Sequence, residues 1–304
     1  MSGKIDSMTK ILSFAAPKNF SFKATVYSHG WSQLTPFQLN EENWKLQYVF
    51  DIGKKETPVF SEIFEKKGTV FIEIEKAKIS AENEQKILKI VKHILRIDEN
   101  FKNFYKHTDS EENLKWISKK KAGRLLRSPT VFEDLVKTIC TTNCSWALTK
   151  KMVTNLVEKL GKSSTNRKKT FPTAELMAQK SIEFYRDEIR AGYRSAYFAE
   201  LAEAVAGGKI NPENWLDSDL TTNELKKEMK KIKGVGDYAA ENLLKLVGRY
   251  DGLALDSWLR AQYYKKHNSE IVCIDKEIEK HYEHFGSWRG LAIWLDMSEK
   301  WLKY

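Results

Sequence analysis

The spacing of the apolar residues changes near residue 100, and this change limits the fold more than any other feature of the sequence. Before it, Val70, Ile72 and Ile74 alternate with polar residues in segment 69–77, as in a half-buried strand. The same reasoning predicts strands over 20–27, 45–50 and 58–65. Segment 81–97 follows with helical spacing. We therefore expect the first part of the chain to be an antiparallel sheet with a helix on one face.

From about residue 129 the apolar spacing is helical, with short breaks such as Gly207-Gly208. The predicted helices cover 129–142, 146–160, 173–189, 193–206, 221–231, 237–248, 257–266, 275–285 and 288–302. A charged connection over 98–128 precedes them. Its stretch KWISKKKAGRLLR, residues 115–127, is typical of a solvated face, and beside a groove it would contact phosphate. The sequence thus predicts an α+β protein, mainly α: an antiparallel sheet domain with a helix over 1–110 and an all-helical domain over 111–304.

The net charge of the chain favours one class of partner. The 304 residues carry a formal net charge of +10 and a pI near 9.2, which favours a polyanionic partner. No apolar run approaches a membrane span, and residues 1–14 lack the features of a signal peptide, so we expect an intracellular protein without a membrane partner.

Cys140, Cys144 and Cys273 are too few for a disulfide framework or a four-thiolate cluster. We predict no metal site.

A glycine-containing turn between two predicted helices is the most informative motif. The first helix ends near Ile232, Gly234-Val235-Gly236 follows, and the second helix begins at Asp237. Glycines permit positive φ and leave backbone N–H groups uncovered at a helix N-terminus, which makes an anion site. Lysines are close in sequence at 230, 231 and 233. The alternative is an ordinary tight connection between two helices.

The residues around this turn resemble a known family. The stretch IKGVGDYAA is similar to the helix–hairpin–helix of DNA-repair proteins, and Asp256 lies 22 positions after Gly234. Hairpin, apolar stretch and aspartate together resemble the helix–hairpin–helix DNA glycosylase superfamily. The resemblance implies that Lys233, Gly234, Val235 and Gly236 bind the DNA backbone and that Asp256 is catalytic. Asp256 can also be the N-cap of the next helix, and the two roles are compatible.

Two further segments resemble the DNA-contacting parts of that superfamily. Segment 131–161 is similar to a helix–loop–helix of 8-oxoguanine glycosylases and of bacterial 3-methyladenine glycosylase II. In the 8-oxoguanine family its loop places an Asn in the duplex, here Asn143. The stretch AGYRSAYF is similar to the segment whose Tyr and Arg wedge into the stack and read the orphaned base, here Tyr193 and Arg194. The alternatives are a turn residue for Asn143 and a partly buried helix aromatic for Tyr193. Leu148 stands where that family has a second Arg.

Other positions bear on the base pocket and on the reaction. Trp31, in segment 29–34, and Tyr238 are the candidate residues of the base pocket, although a buried turn Trp is an equal alternative for Trp31. Bifunctional members of the superfamily have a Schiff-base Lys where this chain has Tyr238, so the resemblance implies simple hydrolysis without lyase activity. Only Cys273 follows the catalytic region, so we expect no iron–sulfur cluster and no cofactor.

These features favour a monofunctional DNA glycosylase that flips a damaged purine out of the duplex and hydrolyses its glycosidic bond. A lone Asp without a paired acid suits an alkylated purine, which already carries a positive charge and therefore leaves without being protonated. Three alternatives remain open: an oxidised guanine, a deliberately modified base, and a hairpin protein that binds DNA without catalysis. The expected partner is double-stranded DNA with a damaged base, bound by a monomer.

Overall fold

The computed structural model of the protein describes residues 9–53, 56–75 and 78–302. Its strands are β1 (Lys10–Ala15), β2 (Gln38–Asn40), β3 (Lys45–Phe50), β4 (Val59–Lys66) and β5 (Thr69–Ile74). They form one antiparallel sheet in the order β1-β5-β4-β3-β2. Val70, Ile72 and Ile74 are fully buried, so the alternation in β5 does place one face on the core. The end of the predicted strand, residues 76 and 77, lies outside the described residues.

The prediction of a strand over 20–27 is wrong, because Phe22–Val26 form a short helix, α1. The Ser21 hydroxyl caps this helix by accepting a hydrogen bond from the Ala24 N–H at 3.2 Å. Alternate apolar residues are buried here too, and over so short a segment alternation does not separate a strand from a single helical turn. The sheet is instead completed by β1 and β2, which lie outside the predicted strands.

The rest of the described chain is helical. The longer helices are α2 (Ala81–Ile94), α3 (Lys102–Asp109), α4 (Lys115–Lys119), α5 (Val131–Thr141), α6 (Trp146–Leu160), α7 (Ala174–Ala178), α8 (Ile182–Asp187), α9 (Ser195–Ala206), α10 (Thr222–Lys230), α11 (Asp237–Leu246), α12 (Ser257–His267), α13 (Asp275–Tyr282) and α14 (Arg289–Ser298). The predicted helices are confirmed, except that 173–189 is divided into α7 and α8. No helix in the described part of the chain is both long and apolar enough to cross a bilayer.

The interpretation of 115–127 as a solvated face is wrong for the last part of this stretch, which is internal. The charged connection 98–128 also contains two helices, α3 and α4. Arg124 is 1% exposed, and its guanidinium donates a hydrogen bond to the Asn19 carbonyl at 2.8 Å and lies over the Phe101 ring. Arg127 pairs with Glu99 at 2.6 Å. These arginines bind carbonyl oxygens and a carboxylate inside the protein, which composition does not distinguish from a surface role.

Helix α2 ends earlier than its apolar spacing predicts, because Arg96 has a positive φ of 54°. The Arg96 side chain is fully buried and donates to the carbonyls of Lys245 and Leu246, each at 3.1 Å. These carbonyls lie at the C-terminal end of α11. The guanidinium therefore satisfies groups that the end of a helix leaves unpaired, and it fixes α11 against the first part of the chain.

Buried carboxylates of α5 join the sheet to the helices. The Tyr48 hydroxyl donates to Glu133 at 2.7 Å, and the Lys137 ammonium lies 2.6 Å from the same carboxylate. The indole N–H of Trp31 donates to Asp134 Oδ1 at 2.6 Å. Because these bonds are buried, breaking one leaves an unpaired polar group in the core. They hold the turn that carries Trp31 against the helical part of the molecule.

Candidate functional site

A cavity of about 800 Å³ lies where that turn meets the helices. Its volume is within the range of small-molecule sites, about 300–1,000 Å³. Three residues singled out in the sequence line it together: Trp31, Tyr238 and Asp256. The first comes from the N-terminal part, the second from the first turn of α11, and the third from the start of α12. The fold thus assembles one site from segments more than 200 residues apart.

Asp256 is half-buried and is the N-cap of α12. Its Oδ1 atom accepts a hydrogen bond from the Leu259 N–H at 2.7 Å. The turn before it is held from α11: Ala254 has a φ of 54° and donates its N–H to the Glu241 carboxylate, while Lys245 Nζ donates to the Leu253 carbonyl at 3.0 Å. The cap and these two anchors fix where the Asp256 carboxylate lies.

Tyr238 lies beside Asp256. Burial and then the Asp256 charge raise the pKa of the Tyr238 hydroxyl to about 12, and a hydrogen bond to that carboxylate contributes in the same direction. The phenol is therefore neutral at physiological pH and donates to the carboxylate. A hydroxyl in this place has no amine with which to attack a sugar.

Tryptophans form much of the cavity wall. Five of the nine in the sequence line it, at positions 31, 146, 258, 294 and 301. Trp258 and Trp301 are stacked with ring centroids 5.0 Å apart, and Trp294 lies edge-on to Trp301. The sequence does not identify these rings as neighbours, because they come from three elements that only the tertiary structure brings together.

The segment around Trp31 closes another side of the cavity. Trp31 is 7% exposed and stacks on His29 with centroids 4.7 Å apart. Burial lowers the pKa of His29 to about 3, so its imidazole is neutral. Gly30 lies directly on the Trp146 ring, since a Cβ at position 30 would be 2.4 Å from that ring. Glycine is thus needed here for close approach, and both readings of Trp31, buried and pocket-lining, hold.

Lys245 is a cavity residue that the sequence analysis does not single out. It is 2% exposed, on the same side of α11 as Tyr238 and Asn242, which also line the cavity. Burial lowers the pKa of its ammonium to about 8, while the charges of Glu241 and Asp256 oppose the shift. The sequence contains one indication of this residue, because a single lysine lies in the apolar stretch of α11, two helical turns after Tyr238.

The Gly-Val-Gly turn joins α10 and α11 as predicted. Gly234 has a φ of 89°, and a Cβ there would be 2.7 Å from the Tyr197 ring. Gly236, in contrast, has a φ of −85°, so it does not use the positive φ that glycine permits. Gly236 is the N-cap of α11, is exposed, and has open space where a Cβ would be. Val235 is buried.

The lysines near the turn are paired with carboxylates. Lys230 lies 2.9 Å from Asp237, Lys231 2.5 Å from Glu228, and Lys233 2.7 Å from Glu200. The Lys233 and Lys231 side chains are more than 60% exposed, so these are surface pairs of small energy. A stronger anion such as a phosphate can replace the carboxylates at low energetic cost.

Asn143, Tyr193 and Arg194 form a cluster outside the cavity. Asn143 is exposed with a φ of 46°, in the loop between α5 and α6. Tyr193 is 54% exposed, and its hydroxyl is 3.5 Å from the Thr142 carbonyl. The Tyr193 ring contacts Tyr197, which also packs on Gly234. The loop, the tyrosine and the hairpin therefore lie along one side of the molecule.

Arg194 is placed differently from an exposed base-reading residue. It is 3% exposed, and its guanidinium donates to the carbonyls of Ile139 and Thr142. It also lies 4.4 Å from the centre of the Tyr193 ring. In this arrangement Arg194 supports the end of α5 and the loop that carries Asn143.

Comparisons with known proteins agree on the fold. No protein-family model and no curated protein matches the sequence. Among solved structures, the 8-oxoguanine glycosylase/lyase of Clostridium acetobutylicum in its apo-form has a TM-score of 0.73 at 20% identity, over 95% of this chain and 98% of that one. Its complex with double-stranded DNA containing cytosine opposite 8-oxoguanine has a TM-score of 0.72 at 20% identity, over 97% and 98% of the two chains.

A second kind of glycosylase is equally similar. The 3-methyladenine DNA glycosylase of Archaeoglobus fulgidus has a TM-score of 0.73 at 18% identity, over 95% of this chain and 98% of that one. At such identities the likeness concerns the fold, and it covers the sheet as well as the helices. The chain therefore has the fold shared by the 8-oxoguanine and 3-methyladenine DNA glycosylases, as its helix–hairpin–helix motif predicts.

Proposed function

We propose that this protein is a DNA glycosylase that flips a damaged purine into the tryptophan-lined cavity and hydrolyses its N-glycosidic bond. The observation that carries this proposal is the position of Asp256, a fixed carboxylate in the wall of a cavity large enough for a base. Enzymes that act on a base inside a duplex must extrude it into such a pocket. The glycosylase fold supports this class of reaction, and the substrate has to be inferred from the residues of the cavity.

We propose two roles for the Asp256 carboxylate: it stabilises positive charge on the sugar, and it acts as a general base. As the bond to the base breaks, the sugar gains oxocarbenium character, which a preorganised carboxylate stabilises. The same carboxylate orients water and accepts its proton. One Asp256 oxygen is held by the Leu259 N–H, and Tyr238 donates to the carboxylate, so the charge meets the sugar without reorganising.

We propose a reaction without a lyase step. Tyr238 occupies the hairpin position at which bifunctional members of the superfamily have a lysine, and its hydroxyl remains protonated beside Asp256. Water is then the nucleophile. The product is an intact strand with an abasic site.

An alkylated purine is the proposed substrate. Such a base carries positive charge and leaves without an acid, and stacked tryptophans attract a cation through their ring quadrupoles. The stack of Trp258 and Trp301 and the adjoining Trp294 supply such surfaces in the cavity. A second candidate is a neutral damaged purine such as an oxidised guanine, which the ammonium of Lys245 in the same cavity favours.

The proposed partner is duplex DNA, bound by one copy of the chain. The hairpin backbone at Lys233, Gly234, Val235 and Gly236 contacts phosphates, since its N–H groups lie at the start of α11. Asn143 and Tyr193 are proposed to enter the duplex. Arg194 contacts the orphaned base only if its guanidinium leaves the Thr142 carbonyl; otherwise it positions the Asn143 loop.

The test is release of a free base from duplexes that each carry one lesion. The panel contains 7-methylguanine, 3-methyladenine, 8-oxoguanine, hypoxanthine and an undamaged control, and released bases are separated by chromatography. Release of an alkylated purine by the wild type and not by D256N supports the proposal. Binding of every duplex with no base released supports instead the non-catalytic DNA-binding alternative.

A further inference from the structure

Lys245 is an ammonium group inside the cavity that contains Asp256. Its side chain is 2% exposed, and Nζ donates a hydrogen bond to the Leu253 carbonyl at 3.0 Å. Within residues 9–53, 56–75 and 78–302, that carbonyl is its one hydrogen-bond acceptor. An ammonium has three N–H donors, and a buried donor without an acceptor is unfavourable. A base that enters the cavity with an acceptor atom satisfies one of them.

In the part of the chain that the structure describes, no carboxylate forms a direct ion pair with Lys245. Glu241 accepts hydrogen bonds from Lys226 and the Ala254 N–H, and Asp256 from the Leu259 N–H. Arg96 and Arg127, which bind carbonyls at the end of α11, are themselves paired with Glu99. Among the other titratable groups that line the cavity, His29 is neutral, and Tyr27 and Tyr238 are protonated. Lys245 is thus a proton donor that faces the cavity as a cation below its pKa of about 8.

We propose that Lys245 is the acid that protonates the departing base, so that Asp256 and Lys245 together excise neutral purines as well as alkylated ones. This inference rests on the proposed function. With Asp256 alone, the enzyme would excise only bases that leave without taking up a proton. Glycosidases of most families pair a carboxylate with an acid in this way.

The step balances without any other reactant. The C1′–N9 bond breaks and its electron pair goes to the purine, which takes a proton from Lys245 Nζ at a ring nitrogen. Water adds its oxygen to C1′ and gives its proton to the Asp256 carboxylate. Lys245 becomes an amine and Asp256 a carboxylic acid, and exchange with solvent restores both after the base leaves.

Charge makes the contribution of Lys245 differ between substrates. A neutral purine gains a hydrogen bond in the cavity and protonation as it leaves. A cationic alkylpurine needs no proton, and a second positive charge in a cavity of low dielectric repels it. Removing the ammonium therefore slows excision of neutral purines much more than excision of cationic ones.

The experiment compares single-turnover excision of hypoxanthine or 8-oxoguanine with that of 7-methylguanine, in the wild type and in Lys245→Met. Methionine keeps the length of the side chain and removes the amine. General acid catalysis contributes about 10²–10⁴-fold, so the variant should lose at least about 100-fold on the neutral base. On the cationic base the variant should lose much less, because there it loses only the hydrogen bond to Leu253 that holds the turn before Asp256. Lys159→Met, which removes an exposed lysine paired with Glu188, controls for the loss of one positive charge.

The pH profile gives a second readout that a structural role does not move. With the proton on Lys245 below its pKa of about 8, neutral-base excision should fall as pH rises through about 8, and cationic-base excision should rise. Both trends should vanish in Lys245→Met. In Lys245→Arg the charge persists, and the fall should move to higher pH.

Two results would overturn the role of Lys245 while leaving that of Asp256 intact. One is an equal loss on both kinds of base in Lys245→Met, which assigns a structural role through Leu253. The other is a wild type that releases 7-methylguanine but no neutral purine. If the wild type releases no base at all, the proposed function itself fails. Melting temperatures of the variants identify a folding defect. If Lys245→Met is destabilised, the pH profile of Lys245→Arg decides whether Lys245 supplies the proton.

Discussion

Asp256 Oδ1 accepts a hydrogen bond from the Leu259 N–H at 2.7 Å, so the proposed catalytic carboxylate is also the N-cap of α12. Capping and catalysis make different demands on this side chain. A cap needs an oxygen acceptor, whereas the stabilisation of a cationic sugar needs negative charge. A substitution that keeps the oxygen and removes the charge therefore separates the two roles.

D256N should fold and bind DNA like the wild type but lose excision. Losing a preorganised charge costs about 3–4 kcal/mol, a rate loss of roughly 100- to 1000-fold. Single-turnover base release measures this, with melting temperature and DNA affinity in parallel. D275N is the matched control, because Asp275 is an exposed carboxylate paired with Arg260. Excision by D256N within a few-fold of the wild type would remove Asp256 from the mechanism.

G234A and G236A should differ in stability. At position 234 alanine must adopt a φ of 89° and place its Cβ 2.7 Å from Tyr197, so G234A should lose about 1–2 kcal/mol or more. At 236 the φ is −85° and the space is open, so G236A should stay close to the wild type. Thermal or denaturant unfolding measures both. Equal losses would show that the turn geometry is not as described.

Duplex affinity should depend on salt and on the hairpin. Each phosphate contact adds about 0.9 to the slope of log K against log salt. G236A places a methyl group on the exposed surface of the hairpin, so it should weaken binding more than it weakens folding. Fluorescence anisotropy over a range of salt concentrations tests this. Binding that ignores both salt and G236A would exclude the hairpin as the DNA-contacting element.

Borohydride should trap no protein–DNA adduct, and excision should leave a strand that only alkali or heat cleaves. The reason is that Tyr238 has no amine, while Lys245 is mainly protonated at neutral pH and bonded to Leu253. Denaturing electrophoresis after reduction measures both products. An adduct that persists in the wild type and disappears in Lys245→Met would show that Lys245 is a nucleophile instead of an acid, and the enzyme would then have lyase activity.

Y193A should lose excision more than it loses stability. Tyr193 is 54% exposed, so its removal leaves no cavity in the core, whereas a wedge residue is needed to hold the duplex open. R194A should instead lower the melting temperature, because it leaves the Ile139 and Thr142 carbonyls without their buried donor. Base release and melting temperature distinguish the two. Normal excision by Y193A would contradict its insertion into DNA.

The free energy of unfolding should decrease as pH rises from about 4 to about 6, because the pKa of Asp134 is raised in the folded protein. Burial raises the pKa of this carboxyl from 3.8 to about 6, so in this interval the folded protein keeps a proton that the unfolded chain has lost. The free energy of unfolding therefore decreases as pH rises, by up to about 3 kcal/mol from this group. Denaturant unfolding of the wild type and D134N at pH 4.5 and pH 7 tests this. Asparagine still accepts the Trp31 N–H, and the variant should show a smaller decrease.

The sequence determined the order and type of most elements. Periodicity predicted β3, β4 and β5 and the helices from α5 onward, because an amphipathic segment of sufficient length encodes its own secondary structure. The hairpin glycines and Asp256 were also identifiable, since their types and spacing are local. The segment at 20–27 was not, because alternation over so short a segment does not separate a strand from a single helical turn. The stretch 98–128 was not, because its buried arginines are held by distant partners. Arg124, for example, is held by the Asn19 carbonyl.

Only the tertiary structure decided the composition of the cavity. The sequence directs Trp31 toward a pocket and contains one indication of Lys245, but it does not identify Trp258 or show that the three side chains line the same cavity. The charge state of Lys245 is likewise set by its surroundings: burial lowers its pKa to about 8, and the charges of Glu241 and Asp256 only partly oppose the shift. The residues that hold a fold are encoded in local patterns, but the chemistry of a site depends on desolvation and on contacts that exist only after the chain has folded.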